Sequence, residues 1–202
     1  MKKVYAFDFD GTLTTCDTLI AFILHAKGTA ALLWALLLHS PLLVAMKLHL
    51  YDNGRTKERL LSWFFKGTSI QEFETLCLQF AADSRHLLRP EGLAAIEKAL
   101  AEGVRVVVVS ASVENWVRPF FSDKPEVEIT GTRMEVVDGR LTGRFDGRNC
   151  YGQEKVNRLN SLLGNRTDIF LEAFGDSNGD KELLAYADKQ HYKPFRSKEE
   201  KE

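Results

Sequence analysis

The sequence predicts an α/β fold: a doubly wound, mostly parallel sheet with helices on both faces, interrupted by an all-helical cap. Three features carry this expectation. From Pro90 onward, strand-like and helix-like segments alternate. Within that stretch, Val104-Arg105-Val106-Val107-Val108-Val109 is a nearly continuous β-branched run, the pattern of a strand covered on both faces. By contrast, residues 16–85 contain no strand pattern at all, and read as a helical insertion between the first two strands.

The elements follow in order. Residues 3–9 form a short apolar strand ending in Phe7-Asp8-Phe9-Asp10-Gly11-Thr12. Asp17 is placed to cap a helix through Leu19 to Leu24 that stops near Gly28. The segment Thr29 to Met46 is apolar, and a basic-apolar helix from Arg55 to Lys66 follows it. Ser69-Ile70-Gln71-Glu72 fits a capping box for a helix reaching about Ala82. Pro90 and Gly103 bracket the next helix. After the valine strand come Ser110-Ala111-Ser112, a helix from about Val113 to Phe121, and a hairpin turning at Asp138-Gly139. A helix from Gln153 to Leu163, a strand from Asp168 to Phe174 and a helix after Ser177 complete the chain, with a charged, solvated tail from Arg196.

Composition narrows the function. The 202 residues are 45% hydrophobic and 27% charged, enough for one domain with a modest insertion. A net charge of −1 gives no field to attract nucleic acid. Cys16, Cys77 and Cys150 are widely spaced and suit reduced thiols in a cytoplasmic protein. Met1-Lys2-Lys3 runs into a strand without a signal-peptide apolar region. The five histidines show no ligand spacing.

In open α/β sheets, ligands bind beyond the carboxyl ends of the strands. The residues expected there are Asp8 and Asp10, Ser110, and Asp176 to Asp180, with Lys155 early in a nearby helix. Carboxylates, a hydroxyl and one ammonium suit phosphoryl transfer. Clustered carboxylates provide hard oxygens for Mg²⁺, which offsets their mutual repulsion. Asp8 is the candidate nucleophile, forming an aspartyl-phosphate, and Asp10 the acid that protonates the leaving oxygen and later activates water. Ser110 is placed to bond a phosphoryl oxygen and Lys155 to balance its charge. Asp176 is the natural metal ligand, and Asp180 a second ligand or an outer support. Thr12 reads as a residue of the turn.

These four segments, in order and type, resemble the signature motifs of the haloacid dehalogenase superfamily of phosphatases. The resemblance covers 1–15 and 86–202 as a Rossmann-like catalytic core, with 16–85 where that superfamily inserts a helical cap. It implies that the Asp10 backbone carbonyl also contacts the metal, and that a second aspartate marks a phosphatase rather than a dehalogenase. Arg148-Asn-Cys-Tyr-Gly-Gln-Glu-Lys155 and Val-Ser-Ala-Ser112 are similar to the branch containing phosphoserine phosphatases and phosphatidylglycerophosphatase-like proteins. Ala111 and Ser112 join the substrate-binding candidates on that basis. So do Asp17, where that branch reads a substrate amine with an acid, and Arg55 or Arg59, where it reads a carboxylate with a cap arginine.

Ala30 to Leu38 has no polar side chain, so a helix there has no solvent face. A single membrane span would put Asp8 and Ser110 on opposite sides of the bilayer, and no site would assemble. Two accounts remain. One is a hairpin bent at Ser40-Pro41, packed in the cap or between two copies. The other is a hairpin dipping into one leaflet, with arms of ~15 Å at ~1.5 Å per residue, and Lys47, Arg55, Lys57 and Arg59 against anionic headgroups. The second makes 29–50 a peripheral membrane contact on the inner face and the substrate a phospholipid-type phosphate. The first leaves a soluble amino-acid or metabolite phosphate. A membrane-associated module that binds phosphate without turnover is a third class, opposed by the complete set of acids and Lys155.

Overall fold

A computed structural model describes residues 1–47, 52–164 and 166–196; side chains at 43 and 45–47 are outside that description. The expected contact at 48–50 and the tail beyond Arg196 therefore lie outside the described residues.

Five parallel strands form the core sheet: β1 (Lys2–Phe7), β2 (Arg105–Val113), β3 (Glu128–Thr132), β6 (Ile169–Gly175) and β7 (Lys189–Tyr192), in the order β3-β2-β1-β6-β7. The fold is α/β and Rossmann-like, as expected. After β1 the chain moves to one side of the sheet and after β6 to the other. The crevice between these two strand ends is the topological switch point. Two apolar cores cover the two faces, one containing Val106 and Val108, the other Val107 and Val109. That division explains the unbroken valine run.

Two strands were not anticipated. β3 is five residues long with a glycine inside it, and β7 is a polar edge strand, so neither shows apolar alternation. The helix expected over 113–121 is also shorter than predicted. β2 continues to Val113, α6 covers only Glu114–Val117, and a 3₁₀ turn takes Arg118–Phe121. A second sheet, the antiparallel hairpin of β4 (Met134–Val137) and β5 (Arg140–Phe145), turns at Asp138-Gly139. Both turn residues have positive φ, 50° and 73°, as a two-residue turn of this hand requires.

Between β1 and β2 the described residues are helical: α1 (Thr18–Leu38), α2 (Ser40–Lys47), α3 (Asn53–Phe65) and α4 (Ile70–Asp83), followed by a short 3₁₀ turn and α5 (Pro90–Ala101). Asp17 caps α1 by accepting from the Leu19 amide at 2.9 Å, and Ser69 caps α4 through the Glu72 amide. α1 breaks at Gly28, where the backbone leaves the helix (φ 79°, ψ 168°), and ends at His39 just before Pro41. Each half is thus about ten residues.

The Phe22 ring joins this helical layer to the sheet layer. It stacks on Trp116 of α6 at 4.8 Å and meets Phe65, Phe73 and Phe80 within 5.7 Å. It is fully buried. Phe22→Ala would leave a cavity at that junction, and we expect a loss of about 3–5 kcal/mol in urea unfolding. A loss below about 1 kcal/mol would mean that the two layers are held together elsewhere.

Candidate active site

The site is built by four strand ends and one helix start. β1 pairs on both sides and ends at Phe7, so Asp8 emerges between β2 and β6 with its amide still bonded to the Phe174 carbonyl at 2.8 Å. Phe9 turns inward against Phe120 and Phe121, and the flanking acids face the crevice. Gly11 follows with φ 76°, and a side chain there would collide with the Asp176 carboxylate, so only glycine satisfies both demands. At the end of β2 the pairing with β3 slips between Ser110 and Val113, and this bulge turns 111–112 toward the crevice.

Lys155 lies in the first turn of α7 (Gln153–Leu163) and is 2% exposed. Its Nζ donates to Asp8 Oδ1 at 2.5 Å and to Asp180 Oδ1 at 2.6 Å. Asp180 Oδ2 in turn accepts from the amides of Asp176 and Ser177 and from the Ser177 hydroxyl, at 3.0–3.1 Å. Asp180 therefore fastens the loop after β6 and aims the ammonium. Thr12, expected to serve only the turn, also donates to Asp8 Oδ2, over a long 3.4 Å. Arg196 bonds Asp176 Oδ2 from the far side.

The Asp10 carboxylate lines the same crevice but has different partners. Its Oδ1 accepts from the Thr18 amide at 2.8 Å and hydroxyl at 2.6 Å, and its Oδ2 from the Ser112 hydroxyl at 2.5 Å. Ser112, expected among the substrate-binding residues, is fully buried and holds Asp10. Ser110 is also fully buried, its Oγ accepting from the Ser112 amide, and Ala111 forms the wall beside it.

A cleft of about 350 Å³ opens onto this group, lined among others by Asp8, Asp10, Asp17, Lys57, Lys155 and Asp176. Neither cap arginine lines it. Arg55 lines an adjoining cleft of about 900 Å³ that shares Asn53 and Tyr151 with the first. Arg59 lies farther out on the cap beside Trp63. The cap cation that lines the carboxylates' cleft is Lys57, whose Nζ donates to the Ala111 carbonyl at 3.1 Å. Sequence reasoning also missed Thr18, Tyr151 and Arg196 as parts of this site. Thr18, directly after an acid that caps a helix, was the one with a local signal.

The electrostatics leave a negative excess. Burial pushes the Asp8 carboxyl up to about 8; Asp180 and Asp10 add to the rise, and Lys155 opposes it. Burial also raises Asp176, with Asp180 adding to it and Arg196 opposing. For Lys155 burial works against the charge, but Asp8 and Asp180 outweigh it and hold its pKa above the ordinary lysine value. Lys155 is accordingly an ammonium shared by two acids. Among the described residues, Asp8, Asp176 and Asp180 bring carboxylate oxygens within 4.8 Å of one another. The unsatisfied negative charge and the all-oxygen donor set fit a small hard dication. Asp8 Oδ2 and Asp176 Oδ1 are the least engaged of these oxygens; Asp180 has most of its lone pairs committed.

Lys155→Met would leave Asp8 and Asp180 buried without their shared cation, and we expect a loss of about 3–5 kcal/mol at pH 7 in EDTA. In the native chain Lys155, acting against burial, holds Asp180 below the ordinary carboxylate range and opposes the rise of Asp8. Without it both carboxyls bind protons more tightly when folded, so the penalty grows as pH rises above about 4. Chemical unfolding at several pH values checks this. A deficit that is constant from pH 4 to 8 would contradict it.

Comparisons with known proteins bear on the family and the fold. Residues 5–185 match the model of a family described as haloacid dehalogenase-like hydrolase. Protein CicA of Caulobacter vibrioides is 38% identical over 200 residues, covering 96% of this chain and 86% of that one. A Bordetella pertussis Tohama I protein of unknown function superposes with a TM-score of 0.79 at 21% identity, over 94% of this chain and 89% of the other. A substrate-bound phosphoserine phosphatase superposes with a TM-score of 0.64 at 19% identity, over 95% and 86% of the two chains.

Proposed function

The chain belongs to the haloacid dehalogenase-like hydrolases, and we propose that it is a Mg²⁺-dependent phosphomonoester hydrolase working through an aspartyl-phosphate at Asp8. The observation that carries this reading is the Asp8 carboxylate clamped on one oxygen by Lys155 in a cluster with Asp176 and Asp180. Lys155 fixes Oδ1 and leaves Oδ2 as the attacking atom. Asp8 and Asp176 would hold the metal, joined by the Asp10 backbone carbonyl, and Asp180 supports them. Bound there, Mg²⁺ supplies charge neutralisation that lets an anionic carboxylate approach a phosphate dianion.

The chain's own residues do the rest. Lys155 stays charged beside the phosphoryl oxygens. The Asp10 carboxyl, set by Thr18 and Ser112, gives a proton to the leaving oxygen and takes one from the hydrolytic water. Transfer forms the bond from Asp8 Oδ2 to phosphorus and breaks the one to the leaving oxygen. Attack by water on phosphorus then restores the carboxylate. We expect Asp8→Asn to lose about a thousandfold or more in Mg²⁺-dependent phosphate release. Asp10→Asn should lose far more with alkyl phosphates than with p-nitrophenyl phosphate. Undiminished turnover by the first variant would defeat the mechanism, and equal losses with both substrates would defeat the role of Asp10.

For the substrate, the reading we favour is a phosphate carried on a lipid and presented at the inner face of a membrane. Leu33, Trp34, Leu37 and Leu38 of α1, Val44 of α2 and Trp63 of α3 are exposed, Trp34 at 71%. The latter part of α1 thus buries Leu32 and Ala35 in the core and leaves its opposite face uncovered. Arg59 and Lys66 line the cleft of about 840 Å³ beside Leu38 and Trp63, which suits anionic headgroups around an apolar contact. A span across the bilayer does not fit, because β1, before α1, pairs with β2 and β6 after it. A second reading, a soluble substrate bearing both charges, draws on Asp17 and Lys57 in the small cleft. Sedimentation with vesicles containing anionic lipid separates the two. We expect pelleting that weakens for Trp34→Ser and at high salt; a chain that stays in solution returns the substrate to the soluble class.

A further inference from the structure

The C-terminal segment reaches the active site by a fixed route. After β7 the Lys193 amide donates to the Gly175 carbonyl at 2.8 Å, which ties the chain to the end of β6. Phe195 then lies near-parallel to Phe7 and Phe174, with centroids 6.2 and 5.9 Å away, and its carbonyl accepts from Arg89 Nη1 at 3.4 Å. These anchors deliver Arg196 to the cleft that holds Asp8, Lys155 and Asp176, where its guanidinium takes Asp176 Oδ2. The expectation of a tail solvated from Arg196 onward is therefore corrected at its first residue. The Arg196 Nε is buried and has no hydrogen-bond partner among the described residues, so the guanidinium has donor capacity that Asp176 does not use.

We propose that Arg196 is an active-site residue that couples cation binding to phosphate binding: it holds Asp176 against the dication until a phosphate anion shares its guanidinium. This rests on the metal reading above. The charge balance argues for it. With Asp8 ionised, as holding a dication requires, three carboxylates, Asp8, Asp176 and Asp180, stand against two cations, Lys155 and Arg196, so the group carries one net negative charge. A dication turns that into one net positive charge, which a phosphate dianion reverses again. Without Arg196 the same dication would bring the group to neutrality and leave less attraction for the anion. A planar guanidinium with a spare donor also suits a phosphoryl oxygen better than a point charge does.

Titration calorimetry of the full chain with Mg²⁺, in the absence and presence of saturating inorganic phosphate, tests this without turnover. We expect Arg196→Gln to bind Mg²⁺ alone at least about fivefold tighter than the native chain. The gain in Mg²⁺ affinity that phosphate gives should be at least about fivefold smaller in that variant. Arg196→Lys keeps the charge without the planar fork, and its coupling should fall between those of the native chain and Arg196→Gln. Unchanged or weaker Mg²⁺ binding by Arg196→Gln, or a lysine variant that behaves like glutamine, would overturn the inference. Absence of Mg²⁺ uptake by the native chain would instead overturn the metal reading and this inference with it.

Discussion

One buried ammonium organises this molecule's functional edge. Lys155 joins Asp8, at the end of the first strand, to Asp180, beyond the sixth, and so spans the crevice where the chain changes direction across the sheet. Each partner has further duties that depend on it. Asp180 fastens the loop that presents Asp176, and Asp8, held firmly at one oxygen, meets only the long Thr12 contact at the other. Removing water from three carboxylates is costly, and a single ammonium does not offset it fully. Burial accordingly holds the carboxyls of Asp8 and Asp176 above their ordinary range. A folded chain that retains this imbalance is arranged for a cation and an anion to arrive.

The elements around the crevice are arranged to the same end. The bulge in β2 buries Ser110 and Ser112 and lets the second hold Asp10, while the helical layer contributes Thr18 to the same carboxylate. Asp10 is thus set by hydroxyls and an amide, and Asp8 by an ammonium. Two aspartates two residues apart consequently meet different environments, which is how one short motif provides both a nucleophile and an acid. Phe22 and Trp116 hold the helical layer and the sheet together behind this arrangement.

Much of this was legible in the sequence, for physical reasons that can be named. Acids directly after an apolar strand cannot be core and must meet something at the sheet edge, so Asp8, Asp10 and the 176–180 loop stood out. The valine run announced a doubly covered strand because every one of its valines has an apolar face to meet. β3 and β7 were missed because a short strand with an internal glycine and a polar edge strand take their conformation from neighbours. Lys57 and Arg196 were not seen as site residues for a related reason. Their place is set by tertiary approach, through α3 and through the stack of Phe195 on the sheet, and a lysine in a basic helix or an arginine in a charged tail has no local mark. The cap arginines were read from resemblance; Arg55 lines the adjoining cleft, and Lys57 lines the one that holds the carboxylates.

The central claim is that Asp8 becomes covalently phosphorylated during turnover. The direct measurement is to quench the chain in acid during hydrolysis of a phosphomonoester, reduce it with borohydride, and read the peptide containing residue 8 by mass spectrometry. An acyl phosphate at Asp8 is reduced to homoserine, so the account predicts homoserine at position 8 only when substrate and Mg²⁺ are both present. An unmodified Asp8 in a sample quenched during active turnover, or reduction at another carboxylate, would contradict it.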